Sequence, residues 1–162
     1  MEDQIQHLTR DGFRKFEAEL NYLRTVRRSE VAERLRIALE EGGDLVENAE
    51  YDDAKNEQAF VEGRIQALEM LLSRASIIED EAASAGAKSD VIRLSSVVTV
   101  QEEGYEPETF RIVGPAEANP AAGKISDVSP VGRALLGKKV GQTVTIEAPD
   151  GSFTYRIVSI SQ

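Results

Sequence analysis

The feature that most constrains this chain is a run of residues at heptad spacing. Tyr51, Ala54, Gln58, Val61, Ile65, Leu68, Leu72 and Ala75 follow one another at intervals of 3, 4, 3, 4, 3, 4 and 3. That is a seam with one polar member, Gln58, and it predicts a helix that must lie against another helix. A partner stands upstream. Phe13, Phe16, Leu20, Leu23, Val31, Leu35 and Ala38 share a helical face, interrupted by Arg27, and Thr9 suits the N-cap ahead of it. Between the segments lies Glu41-Gly42-Gly43-Asp44. A glycine pair ends a helix readily, and a short link makes the two helices antiparallel neighbours. On pattern alone a dimerising coiled coil or a bundle helix also fits. The glycine pair breaks the register where a hairpin must turn, which favours one helical hairpin over residues 1–78. Its arms would be about 30 residues each, or roughly 45 Å.

The character of the chain changes near residue 80. All five prolines lie beyond Ile78, and residues 81–90 are small and polar, a linker composition. Ser95–Gln101, Glu108–Val113, Thr143–Ala148 and Phe153–Ile160 are alternating and β-branched, so they predict strands. Pro149-Asp150-Gly151-Ser152 reads as a hairpin turn. Ser129-Pro130 through Gly137 predicts a short helix, with Ser129 as N-cap, Pro130 at N1 and Gly137 just past the end. The fold class expected is α+β. It combines a hairpin over 1–78 whose tip lies near 41–53, a linker over 79–90, and a β-rich domain with one helix over 91–162.

Composition excludes several chemistries. The chain has 162 residues, no cysteine and one histidine, His7. A disulfide framework, a thiol nucleophile and a cysteine-ligated metal are ruled out. The net charge of −10 opposes non-specific capture of nucleic acid, and sequence-specific DNA binding is not expected. No apolar run reaches membrane-spanning length and the first residues do not read as a signal peptide. A soluble cytoplasmic protein is expected. The internal hairpin consumes the seam, so a monomer is expected too.

The tip has the most unusual composition. Between Glu40 and Glu57 stand eight acidic residues against Lys55 alone. One reading is structural: Asp44 as N-cap with Glu47 at N3 forms a capping box, and acidic side chains suit a helix N-terminus. The other is chemical. Two carboxylates three residues apart on a helical turn face the same way, and paired hard oxygens suit Mg²⁺. So open a site binds weakly alone. It becomes useful where another metal and a phosphate already sit, as two-metal phosphoryl chemistry requires.

The run Gly43-Asp44-Leu45-Val46-Glu47-Asn48-Ala49-Glu50-Tyr51, followed by Ala54-Lys55, closely resembles the tip of the Gre-type bacterial transcription elongation factors. Leu8-Thr9 and Gly12, Arg27-Arg28 with Glu30, and Glu62-Gly63-Arg64-Ile65 are similar to the family as well. So are Phe110-Arg111-Ile112-Val113-Gly114 and the segment from Ser129-Pro130 to Gly137. The resemblance implies an FKBP-like C-terminal domain that docks on RNA polymerase, with Ser129 and Pro130 in the docking loop. It also implies a coiled coil that enters the secondary channel. Asp44 and Glu47 would then help to hold the second Mg²⁺ of the polymerase active site and the water that cleaves backtracked RNA at its extruded 3′ end. The factor itself would be no enzyme, and no metal would be bound permanently. The alternative within the same resemblance is a channel-binding paralogue that inhibits polymerase without cleavage. An unrelated coiled-coil adaptor is a third reading, and an autonomous hydrolase a weak fourth.

Arg24, Arg27, Arg28, Arg34 and Arg36 give the first arm a basic stretch, interleaved with Glu30 and Glu33. It is either a salt-bridged solvated face or a patch that touches RNA or polymerase. Family members often carry a basic residue just ahead of the tip, where this chain has Glu40. Lys55 is expected to form a helix ion pair, His7 to be exposed, and Tyr51 to pack against the first arm. Close helix packing would account for Gly63 in mid-helix.

Overall fold

The computed structural model describes residues 4–42, 48–78 and 90–161. These form two compact units, one over Phe13–Ala75 and one joining the residues up to Gly12 with those from Ser76 onward.

The first unit is the helical hairpin. Its first arm comprises α1 (Arg10–Tyr22), a π-helical segment (Leu23–Arg27) and α2 (Arg28–Glu41). Its second arm is α3 (Ala49–Ser73), 25 residues. Val61, Ile65 and Leu68 of α3 are buried with Leu20, Leu23 and Val31, and Phe16, Leu35, Leu71 and Leu72 pack around them. The heptad seam is therefore intramolecular. The looser pattern of the first arm also has its cause. In a π turn the N–H of residue i+5 bonds the carbonyl of residue i, as Arg28 does with Leu23. This absorbs one extra residue, so Val31, Leu35 and Ala38 regain the face that Phe16, Leu20 and Leu23 began.

Helix does not extend over all of 1–78. Residues Gln6–Thr9 form β1 and Ala75–Ile78 form β2, which pair as a two-stranded sheet. Backbone pairing at both ends of the segment hands these residues to the second unit, so the compact hairpin is shorter than the expected 1–78. Thr9 caps α1 as expected, its hydroxyl accepting the Gly12 N–H at 3.0 Å. Of the expected linker 79–90, only Asp90 lies within the described residues.

The second unit holds a five-stranded sheet in the order β5-β4-β3-β7-β6. Its strands are β3 (Val97–Glu102), β4 (Glu108–Val113), β5 (Lys124–Ser126), β6 (Thr143–Ala148) and β7 (Gly151–Ser161). All neighbours are antiparallel except β4 and β5. The four expected strands are present. β5 was not expected, because three residues carry no alternation to read. Pairing of Ala148 with Gly151 leaves Pro149 and Asp150 as a two-residue turn. The register slips between Thr99 and Val100, which places an extra residue, Val158, in β7. That bulge turns both Ile157 and Ile160 to one face. There Val98, Val100, Ile112, Val144, Ile146 and Ile157 are buried with Leu135 of α4 (Pro130–Leu135).

Candidate functional site

The acidic tip joins the end of α2 to the start of α3. Asp44 and Glu47 lie outside the described residues. α3 begins at Ala49, and its N-cap is Asn48. The Asn48 Oδ1 accepts the Tyr51 N–H at 3.1 Å. The expected Asp44–Glu47 capping box lies outside the described residues. Sequence reasoning missed Asn48, although asparagine ranks with aspartate as an N-cap and Tyr51 stands three residues on. Asn48 is also buried, and its Nδ2 donates to the Ala38 carbonyl at 2.7 Å. One side chain thus bonds both arms.

Around it the tip segment is acidic and partly paired. Glu50 meets Arg34, and Glu40 meets Arg36. Glu41, Asp52 and Asp53 are exposed. Tyr51 is half-buried, with the Lys55 Nζ 5.8 Å from its ring centroid. Lys55 so makes a cation–π contact along α3 where a helix ion pair was expected. Among the described residues no cluster of histidine and carboxylate side chains could hold a metal ion. The donor set of Asp44 and Glu47 is two hard carboxylates, which fits Mg²⁺ held jointly with another protein's ligands.

The five arginines from Arg24 to Arg36 each face a glutamate. Arg24 pairs with Glu69, Arg28 with Glu62, and Arg36 with Glu33 and Glu40. Arg27 pairs with Glu30 and Glu57, and Arg34 with Glu50 and Glu57. Most of these pairs cross between the arms, as does Arg64 with Glu19. The Arg28 guanidinium grips Glu62 with two bonds, of 2.7 and 2.8 Å. That bond holds the Glu62 carboxyl below its ordinary range, and Arg36 does the same to Glu33. The charge array is that of a salt-bridged helix face.

The second candidate locus is the start of α4. Ser129 is its N-cap, accepting the Gly132 N–H at 3.1 Å and donating to the Ser126 carbonyl at 2.6 Å. Pro130 follows at N1 and is exposed, and Gly137 closes the helix at φ 77°. A Cβ on Gly132 would overlap the Ser126 carbonyl, so glycine lets α4 sit against the end of β5. The Ser129 hydroxyl is spent on shaping the loop, while Pro130 and Val128 are presented to solvent. His7 is exposed, as expected. No atom would meet a Cβ at Gly63, so close packing within this chain does not explain that glycine.

Both halves of the chain match known proteins. Residues 6–77 match the model of the N-terminal domain of transcription elongation factors, and residues 87–162 match the C-terminal domain of GreA/GreB. The chain is 49% identical over 161 residues to the transcription elongation factor GreA of Bacillus licheniformis, covering 99% of both chains. It is 48% identical over 162 residues to that of Bacillus subtilis, again covering 99% of both. A crystal structure of GreA factor homolog 1 of Thermus thermophilus is 35% identical, at a TM-score of 0.44, covering 98% of this chain and 100% of that one. With both halves matched and nearly half of all positions identical to curated relatives, the chain belongs to the GreA/GreB family of transcription elongation factors.

Proposed function

We propose that this protein brings its acidic hairpin tip to the active site of bacterial RNA polymerase through the secondary channel and stimulates cleavage of backtracked RNA. The observation that carries the reading is local. The acidic segment joins the two antiparallel arms, and α3 has its N-cap in Asn48. Since α3 is capped by Asn48, it does not need the two upstream carboxylates, which supports a chemical role for them. Asp44 and Glu47 would hold a Mg²⁺ ion shared with the polymerase, which orients and activates the attacking water. The chain's own part is to deliver the two carboxylates and hold them there; the hydrolysis is the polymerase's reaction. Ser129 shapes the docking loop and Pro130 offers an exposed contact on it. The factor acts as a monomer in the bacterial cytoplasm, meets the RNA 3′ end only within the complex, and keeps no metal when free.

A backtracked elongation complex with Mg²⁺ and end-labelled RNA tests this. The wild type is expected to shorten the RNA, while Asp44→Ala and Glu47→Ala, still folded and still bound, lose at least 100-fold in rate. Binding without cleavage by the wild type would instead make this chain an inhibitory channel-binding paralogue. Absence of binding to polymerase would remove both channel readings.

A further inference from the structure

The end of α2 and the start of α3 are bonded through one amide. Asn48 is 9% exposed. Its Oδ1 accepts from the Tyr51 N–H, and its Nδ2 donates to the Ala38 carbonyl, which also accepts the Gly42 N–H at 3.0 Å. A Cβ at Gly42 would overlap both the Asn48 amide and the Ala38 carbonyl, so the absence of a side chain at 42 is what admits the amide. The chemistry is specific to asparagine. An N-cap needs only an acceptor, which aspartate or serine supplies as well. The contact to Ala38 needs a donor on the same short side chain, which a carboxylate lacks.

We infer that Asn48 is a positioning residue for the acidic tip: it fixes the two chain ends, Gly42 and Asn48, that the five residues carrying Asp44 and Glu47 connect. This rests on the reading of Asp44 and Glu47 as ligand donors. Holding both ends of a short link removes freedom before the metal is met, and a misplacement of about 1 Å in such a constellation costs on the order of 100-fold in rate.

The variants separate the two bonds. Asn48→Asp keeps the acceptor for Tyr51 and loses the donor to Ala38. Asn48→Ala loses both. Asn48→Asp is expected to stay folded, with a lower melting temperature because a carboxylate then faces the Ala38 carbonyl, and in the cleavage assay to keep the half-saturating factor concentration of the wild type. Its maximal cleavage rate falls about 10- to 100-fold, and it requires more Mg²⁺. Asn48→Ala adds a loss of stability. Gly42→Ala displaces the same amide from the α2 side and is expected to show the same split between maximal rate and half-saturation. A wild-type maximal rate for Asn48→Asp would overturn the inference. If the wild type itself supports no cleavage, the functional reading fails, and the positioning role is read without it. The chain has no cysteine, so nitroxides on Glu41→Cys and Asp52→Cys label the full chain at these two sites alone. One narrow inter-label distance is expected with Asn48 and a broadened one with Asn48→Asp. An unchanged distribution overturns the inference.

Discussion

Glu117 accepts two hydrogen bonds from Thr9, 108 positions earlier: the backbone N–H at 2.7 Å and the hydroxyl at 2.6 Å. The same hydroxyl caps α1 by accepting from Gly12. The carboxylate is buried, and it fills the space that a Cβ on Gly12 would need. Gly12→Ala should therefore destabilise the fold by about 2 kcal/mol, through displacement of a carboxylate from both its donors. Glu117→Ala should cost a similar amount by leaving the Thr9 donors buried and unpaired. The double variant should cost less than the sum, since the overlap disappears with the carboxylate. Urea unfolding of the four proteins checks this; simple additivity would contradict it.

The π segment makes a prediction about chain length. Deleting Thr25 would turn that segment into ordinary helix and carry Val31, Leu35 and Ala38 onto an unbroken heptad with Phe16, Leu20 and Leu23. Arg28 would take the seam place that Arg27 now holds. Circular dichroism should show a folded hairpin with a melting temperature no lower than that of the wild type. Deleting Ala32 instead should cost about 2 kcal/mol or more, because Leu35 and Ala38 rotate off the seam.

Gly63 is exposed within α3, and nothing stands where its Cβ would be. Gly63→Ala should stabilise the hairpin by about 1 kcal/mol, through helix propensity and a less flexible unfolded chain. Calorimetry should record a rise of about 2–4 °C.

The cross-arm pairs set a pH dependence. Arg28 holds the Glu62 carboxyl below its ordinary range by hydrogen bonding, and Arg36 does so for Glu33. A carboxyl depressed in the folded state contributes stability above its unfolded pKa of about 4.3 and loses it as pH falls through the lower folded value. The melting temperature should thus drop as acid takes the solution below about pH 4, and less steeply for Arg28→Met. The exposure of the pair keeps the effect small. A carboxyl-carbon NMR titration should return Glu62 to the ordinary range in Arg28→Met.

The legible parts of this fold were those with unbroken periodicity. The seam from Tyr51 to Ala75 could be read because α3 is regular throughout. The first arm could be read only loosely, because one added residue at the π segment moves every later position by about 100°. The end of β7 was legible, read as far as Ile160, but not the bulge at Val158, which separates Ile157 and Ile160 by three positions where a regular strand needs two. At the tip, Asp44 and Asn48 are both good N-caps, and local preference cannot choose between them. What singles out Asn48 is its bond to the Ala38 carbonyl, and only the folded hairpin brings the two together. The tie between Thr9 and Glu117 was out of reach for the same reason, since no local pattern links positions so far apart.

The pairing of the arginines has a thermodynamic consequence for nucleic acid. Cations bind phosphate chains largely by displacing condensed counterions, and the free energy gained lies in that release. The guanidinium groups of Arg24, Arg27, Arg28, Arg34 and Arg36 already hold glutamates. An approaching RNA would have to break an ion pair for each of these contacts, so the gain from counterion release is offset by the loss of that pair. These five arginines therefore offer RNA little free positive charge, on a chain whose net charge of −10 already opposes it.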